Sequence, residues 1–196
     1  MIDSVLLLSG GVDSTALAYS ENPDRAMTID YGQICAEAET RSSTQVCTEL
    51  DIPHEVIEVD CTDLGTGQLA ETGQLEIADT PEWWPFRNQL IVTLAAMKAV
   101  QIGANELILG SVRGDHQHAD GRPEFYQILD NILSFQEGDL RVSVPAIHKT
   151  SEELVEESEI PLSILGWTHS CHQSNWACGR CRGCVKRERV LDYILE

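Results

Sequence analysis

Ser9-Gly10-Gly11-Val12-Asp13-Ser14 constrains this chain more than any other stretch. It follows the apolar run Val5-Leu6-Leu7-Leu8 and precedes Thr15-Ala16-Leu17-Ala18, so a buried strand, a small-residue turn and a helix start follow one another directly. Glycines in the turn let the backbone approach an anion and take a positive φ. Successive N–H groups, together with the positive end of the following helix, form a cradle for phosphate. Ser9, Ser14 and Thr15 add hydroxyl donors. Asp13 is the odd member, because a carboxylate beside a phosphate is repulsive. It makes sense as a helix cap or as a partner for Mg²⁺ or an amine. No Gly-Lys-Ser/Thr closes the turn and no GxGxxG is present, so it is neither a P-loop nor a dinucleotide fingerprint. An ordinary Gly turn between strand and helix is the alternative at this level.

The rest of the chain reads as alternating strands and helices. Strands are expected at residues 2–8, 26–29, 55–59, 106–109 and 141–144, with helices at 13–21, 34–50, 88–101, from Arg122-Pro123 to about 136, at 152–158 and at 185–195. Pro123 sits at an allowed early helix position, and Thr150 or Ser151 caps the helix that Glu152 and Glu153 open. The β-α-β order predicts an α/β fold: a parallel five-stranded sheet with helices on both faces and right-handed crossovers. Ligands of such sheets bind at the C-terminal strand ends. The unusual polar segments fall there: 9–14, Asp30-Tyr31-Gly32-Gln33, Gly110 to Arg122, and 145–150. Residues 60–85 lack a period and are expected to form a long mobile loop, ending in Trp83-Trp84-Pro85-Phe86-Arg87-Asn88. Trp84 is expected to be exposed and to stack on a planar ligand, the alternative being a loop anchor. Arg87 and Arg122 offer bidentate forks for carboxylate or phosphate, or pair with local acids.

Four of the seven cysteines cluster late, as Cys171-x6-Cys178-x2-Cys181-x2-Cys184. Four thiolates at this spacing supply the whole tetrahedral shell of a structural Zn²⁺ and leave no open position for catalysis. An iron–sulfur cluster is the competing reading. Arg180, Arg182, Lys186 and Arg187 are expected to offset the thiolate charge, with His172 a weaker ligand candidate. Cys35, Cys47 and Cys61 are scattered and expected to be buried and inert. His116 and His118 form a possible metal pair, although loop or substrate contacts are the simpler reading. Two domains are expected: residues 1–165, and a zinc-binding segment with its closing helix over 166–196.

The net charge of −19, from 32 acidic against 13 basic residues, argues against direct nucleic-acid binding, which needs a basic footprint. There is no charged-then-apolar leader and no long apolar run, so no signal peptide or membrane span is expected, and a cytoplasmic location follows.

Together these residues resemble the ATP pyrophosphatases that carry SGGxDS after an N-terminal strand. Within them they resemble the 7-cyano-7-deazaguanine (preQ0) synthases, the QueC family. The resemblance is carried by Ser9–Ser14, Asp30-Tyr31-Gly32-Gln33, Arg87-Asn88, Asp120-Gly121-Arg122-Pro123-Glu124-Phe125, and Ser170-Cys171 followed by Cys178-Gly179-x-Cys181-x2-Cys184. It implies ATP-dependent adenylation of the carboxylate of 7-carboxy-7-deazaguanine. Attack by ammonia then gives an amide, and a second ATP-dependent step dehydrates the amide to the nitrile. It implies that Ser9, Gly10, Gly11, Val12, Asp13 and Ser14 hold the pyrophosphate and its Mg²⁺, and that Asp30, Tyr31, Gln33 and Gly110 line the nucleotide side. Arg87, Asn88, Asp115, Arg122 and Trp84 face the deazaguanine, and Asp13, Ser14, Lys149 and Arg122 carry the chemistry. The four cysteines hold a structural Zn²⁺, and the protein is a homodimer.

Three departures touch the substrate pocket. Ser151 stands where a lysine is usual, with Lys149 two positions earlier. His116 and His118 stand in a shortened segment where aromatics are common, and His169 replaces a tryptophan. They leave open a form of the enzyme that stops at the amide and joins the deazaguanine to an amine of a protein partner, in antiviral defence. Another adenylating enzyme of the superfamily, a tRNA thiolase and a degenerate nucleotide-binding module are the remaining alternatives. The acidic charge opposes the thiolase, and the intact SGGVDS opposes the degenerate module.

Overall fold

A computed structural model describes residues 2–195. Five strands, β1 (Ser4–Leu7), β2 (Arg25–Asp30), β3 (His54–Glu58), β4 (Glu106–Ile108) and β5 (Arg141–Ser143), form one parallel sheet in the order β3-β2-β1-β4-β5. Val5 pairs with Arg25 on one side and Leu107 on the other, which fixes the register at the centre. The helices are α1 (Val12–Glu21), α2 (Ala36–Leu50), α3 (Arg87–Gln101), α4 (Pro123–Phe135), α5 (Ser151–Ser158), α6 (Leu162–Leu165) and α7 (Arg182–Leu195). None of them is long and apolar enough to cross a membrane.

Successive strand residues point to opposite faces, and that alternation divides the core. Val5 and Leu107 pack into a cluster with Val92 of α3 and Leu129 of α4. Leu6 and Ile108 pack on the other side with Leu17 of α1, Leu154 of α5 and Val190 of α7. With both faces covered, the central strands need apolar residues at every position, which is why they read as continuous hydrophobic runs. The C-terminal helix thus belongs to the same core as the first strand.

Local signals explain most element ends. Pro123 occupies the first turn of α4. The Thr150 hydroxyl accepts from Glu153 N at 3.1 Å while the Glu153 carboxylate accepts from Thr150 N at 2.7 Å, a reciprocal cap on α5. At α1 the cap position belongs to Gly11, with no side-chain cap, so Asp13 is not the helix cap and is free for another task.

The segment 60–85 departs from expectation. It carries two short 3-10 turns, Thr62–Leu64 and Gly67–Ala70, and is pinned by buried Leu69 and Trp84. Trp84 is only 3% exposed and meets the Tyr31 ring edge-on at 5.1 Å. The gain from burying so large a ring outweighs the weak local preferences of a Gly- and Thr-rich stretch. Trp84 is therefore a loop anchor and not an exposed stacking platform. Cys35 and Cys47 are buried as expected, whereas Cys61 is only half-buried.

Candidate functional site

The strand order reverses direction between β1 and β4, because the chain winds outward from β1 in one sense to β3 and in the other to β5. That switch leaves a crevice at the C-terminal ends of the two central strands. A cavity of about 270 Å³ lies there. Ser9, Gly11, Asp13 and Ser14 line it after β1, and Gly110 and Ser111 line it after β4.

One end of the cavity is the turn before α1. Gly10 adopts φ +73°, a left-handed conformation that suits glycine. A Cβ there would lie 2.7 Å from the Ser42 side chain. The Gly10 carbonyl accepts from His169 N at 2.8 Å and from the Ser42 hydroxyl at 3.0 Å, so α2 and the segment before the cysteines both hold the turn. Asp13 is buried. Its Oδ2 accepts from Lys186 Nζ at 2.6 Å, and its Oδ1 has no partner. An orphaned, buried carboxylate oxygen in a cavity wall is the kind of group that a hard cation such as Mg²⁺ satisfies, so the donor set fits that ion. Burial works against the Lys186 ammonium, but Asp13 and Asp115 outweigh it and hold its pKa above the ordinary lysine value. Ser170 Oγ and His172 Nδ1 are also buried without partners, and both residues line the cavity. Burial pushes His172 down to about 4, so its ring is neutral at neutral pH.

Separate elements bring further ionisable groups to the same cavity. Tyr31 follows β2, Glu39 lies on α2, Arg87 and Asn88 open α3, and Asp115 sits in the loop after β4. Enclosure pushes the Glu39 carboxyl up, against the hydrogen bonds from Gln33 Nε2 at 2.8 Å and Cys35 Sγ at 3.2 Å. Enclosure likewise raises Tyr31 and Cys35. It opposes the Arg87 charge, yet Tyr31, Asp120, Glu39 and Asp115 around it hold its pKa above the ordinary arginine value. Asn88 Nδ2 donates to Asp120 O at 3.2 Å and ties the start of α3 to the loop. The Ser111 and Tyr126 hydroxyls bond to each other, and burial pushes Tyr126 up to about 12.

The structure brings together Ser9, Gly11, Val12, Asp13, Ser14, Tyr31, Arg87, Asn88, Gly110 and Asp115 around this cavity. Asp30 and Gln33 stand behind it: Asp30 Oδ1 accepts from Gly32 N and Gln33 Oε1 accepts from Tyr31 N, both at 2.9 Å, and so they shape the turn that presents Tyr31. Arg122, Lys149 and Trp84 do not line the cavity. Arg122 is exposed and donates to His116 O at 3.0 Å, and Lys149 pairs with Glu157 at 2.6 Å. His116 bonds Ile147 O at 2.8 Å, and His118 faces Glu82 at 4.0 Å. Sequence reasoning missed Glu39, which looks like one more acid on an acidic helix. It also assigned Lys186 to the cysteines alone.

The four cysteines converge. The Sγ atoms of Cys171, Cys178, Cys181 and Cys184 lie within 4.8 Å of one another, with Cys178–Cys184 and Cys171–Cys181 at 3.9 Å. A tetrahedron of thiolates about 2.3 Å from one Zn²⁺ has edges of roughly 3.8 Å, so the set fits a single zinc ion. It leaves no room for the larger core of an iron–sulfur cluster. Backbone N–H groups of Arg180 and Cys181 lower the Cys178 pKa and favour its thiolate.

Comparison with known proteins decides the family. The family described as Queuosine biosynthesis protein QueC matches residues 3–194. This chain belongs to that family. Among its relatives are proteins named 7-cyano-7-deazaguanine synthase. Those of Chlorobaculum parvum and Methanococcus maripaludis are 29% and 28% identical, covering 97% and 96% of this chain and 92% and 93% of theirs. That of Pseudoalteromonas translucida is 27% identical over 96% of this chain and 93% of its own. Among solved structures, NMN synthetase from Francisella tularensis aligns at a TM-score of 0.45 and 16% identity over 88% of this chain and 70% of that one, too distant a likeness to bear on the site.

Proposed function

We propose that this QueC-family chain is an ATP-dependent C–N ligase that activates the carboxylate of 7-carboxy-7-deazaguanine and couples it to ammonia. The observation that carries the reading is the pairing, across one cavity, of the Ser9–Ser14 turn and its half-satisfied Asp13 with the Arg87, Asn88 and Asp115 wall. A carboxylate oxygen of the substrate attacks the α-phosphorus of ATP. The bond to the β-phosphate oxygen breaks, and pyrophosphate leaves with the electron pair. Ammonia then attacks the carbonyl carbon, AMP leaves, and the amide forms. A second ATP adenylates the amide oxygen, and loss of two protons with AMP yields the nitrile.

The backbone N–H groups of the turn and the α1 dipole receive charge on the leaving pyrophosphate, which is electrostatic work by fixed donors. Asp13 would hold Mg²⁺, which when bound supplies further charge neutralisation at the phosphates. Arg87 offers its planar fork to the substrate carboxylate. Cys171, Cys178, Cys181 and Cys184 would hold a structural Zn²⁺, since four thiolates fill its shell. The experiment is pyrophosphate release from ATP with 7-carboxy-7-deazaguanine and ammonium, followed by product mass. Release with an amide or nitrile product supports the reading, and no release with that acceptor sinks it.

A further inference from the structure

Lys186 was first set against the charge of the cysteine thiolates, but the structure points it elsewhere. Its ammonium lies 2.6 Å from Asp13 across 173 residues of chain and lines the cavity beside Ser9, Gly11 and Ser14. Among the described residues, the cavity wall carries two arginine or lysine side chains, Arg87 and Lys186. Arg87 is engaged by the charges of Tyr31, Glu39, Asp115 and Asp120, whereas the Lys186 ammonium is bonded to Asp13 in the turn. That leaves Lys186 as the cation at the turn itself. The two lysine and arginine candidates nearest in type, Lys149 and Arg122, are held by Glu157 and by His116 O outside the cavity.

The helix that carries Lys186 is held by several independent bonds. Arg187 Nε donates to Thr168 Oγ1 at 2.8 Å, Arg182 pairs with Glu82 at 2.9 Å, and Tyr193 donates to Glu156 at 2.9 Å. A Cβ on Gly183 would lie 1.7 Å from Ser170 O, so the start of α7 sits directly against the residues leading into the cysteine cluster. The lysine stem is thus presented from a fixed backbone, while its own side chain remains a flexible point charge.

We infer that Lys186 is a substrate-binding residue that the cysteine-bearing segment supplies to the phosphate end: when nucleotide enters, its ammonium moves from Asp13 to a phosphate oxygen and frees both Asp13 oxygens. The inference rests on ATP occupying this cavity. The zinc segment then has a role beyond holding the tail, because it delivers the cation that completes the Ser9–Ser14 cradle. A lysine suits this task because an ammonium can exchange one anionic partner for another without a fixed planar geometry.

The test is calorimetric binding of inorganic pyrophosphate and of Mg·ATP to the zinc-loaded protein, for wild type, Lys186→Met, Lys186→Gln and Lys186→Arg, with zinc content measured for each. The neutral variants should weaken both ligands about tenfold or more, the loss of one charge-assisted contact, and Lys186→Arg should restore most of it. In turnover, KM for ATP should rise while KM for the carboxylate substrate stays put. Unchanged or tighter binding by a neutral variant that keeps its zinc would overturn the inference, since Lys186 would then only restrain Asp13. Loss of zinc in both neutral variants would overturn it too, by showing a structural role. If wild type binds ATP yet releases no pyrophosphate with the deazaguanine acid, the proposed reaction fails while the binding series still tests Lys186. If wild type binds neither ligand, both readings fall.

Discussion

The two ends of the cavity are built in opposite ways. The proposed phosphate end is a contiguous hexapeptide whose donors are backbone N–H groups and hydroxyls, joined by Ser170 and Lys186 from far along the chain. The rest of the lining is a meeting of enclosed ionisable side chains, with Tyr31, Glu39, Arg87 and Asp115 each on a different element. A polyphosphate is one chemical problem, repeated anionic oxygen, and a turn with a helix dipole meets it with backbone alone. A heterocyclic acid presents a shape and a pattern of donors and acceptors, and only side chains placed by the tertiary fold can match that. The first end should therefore fail all at once when its single anion-and-cation partner is lost, and the second should fail gradually and with a pH signature.

Asp13→Ala is the sharpest cut. It removes the orphaned Oδ1 and the Lys186 partner together. Pyrophosphate release should fall by at least about a hundredfold. Zinc content should stay near wild type and the chain should still fold, since Asp13 is not the α1 cap, but the unfolding midpoint should fall because Lys186 loses its buried partner. Retained turnover would show that the two ends do not differ as described. Arg87→Met probes the rest of the lining. Its loss leaves Glu39, Asp115 and Asp120 without the cation they surround. KM for the carboxylate substrate should rise about 10- to 100-fold, while pyrophosphate affinity stays within about twofold. Equal weakening of both ligands would erase the division into two ends.

That division also decided what could be read in advance. The Ser9–Ser14 turn and the four cysteines were legible because each is a local pattern whose chemistry is fixed by residue type and spacing. The central strands were legible because both faces of the sheet are buried there, so Val5-Leu6-Leu7-Leu8 reads as an apolar run, whereas the half-buried edge strands β3 and β5 carry no such run and were placed by their position in the alternating order. Lys186 was legible as a helix residue but not as a site residue. In retrospect one signal existed: Lys186 lies two residues past Cys184, about 200° round a helix, so it has to face away from the four-cysteine cluster that Cys184 joins. Glu39 offered no such signal, since nothing local distinguishes it from Glu37, which is exposed one turn-edge away. Trp84 was misplaced because an aperiodic stretch says nothing about which of its side chains the core recruits. Contact with Tyr31 is a property of the fold and not of residues 60–85.

Glu39→Gln should give the smallest effect, and its dependence on pH carries the information. The Glu39 carboxyl is raised above its ordinary value, chiefly by enclosure, with the hydrogen bonds from Gln33 and Cys35 and the Arg87 charge only partly opposing it. A carboxyl whose folded pKa exceeds its unfolded one favours folding in its protonated form. Its contribution is fully present below the unfolded pKa and is lost as pH rises through the folded pKa. Glutamine has the shape of the protonated acid and keeps an oxygen to accept from Gln33, but it does not titrate. The variant should therefore gain stability relative to wild type as pH rises above the ordinary glutamate range, read as a widening gap in denaturant midpoints. The opposite trend would mean that Arg87 outweighs enclosure and that Glu39 is held as a stable carboxylate. That part of the lining would then be an ordinary ion pair, and its contrast with the phosphate end would lose its physical basis.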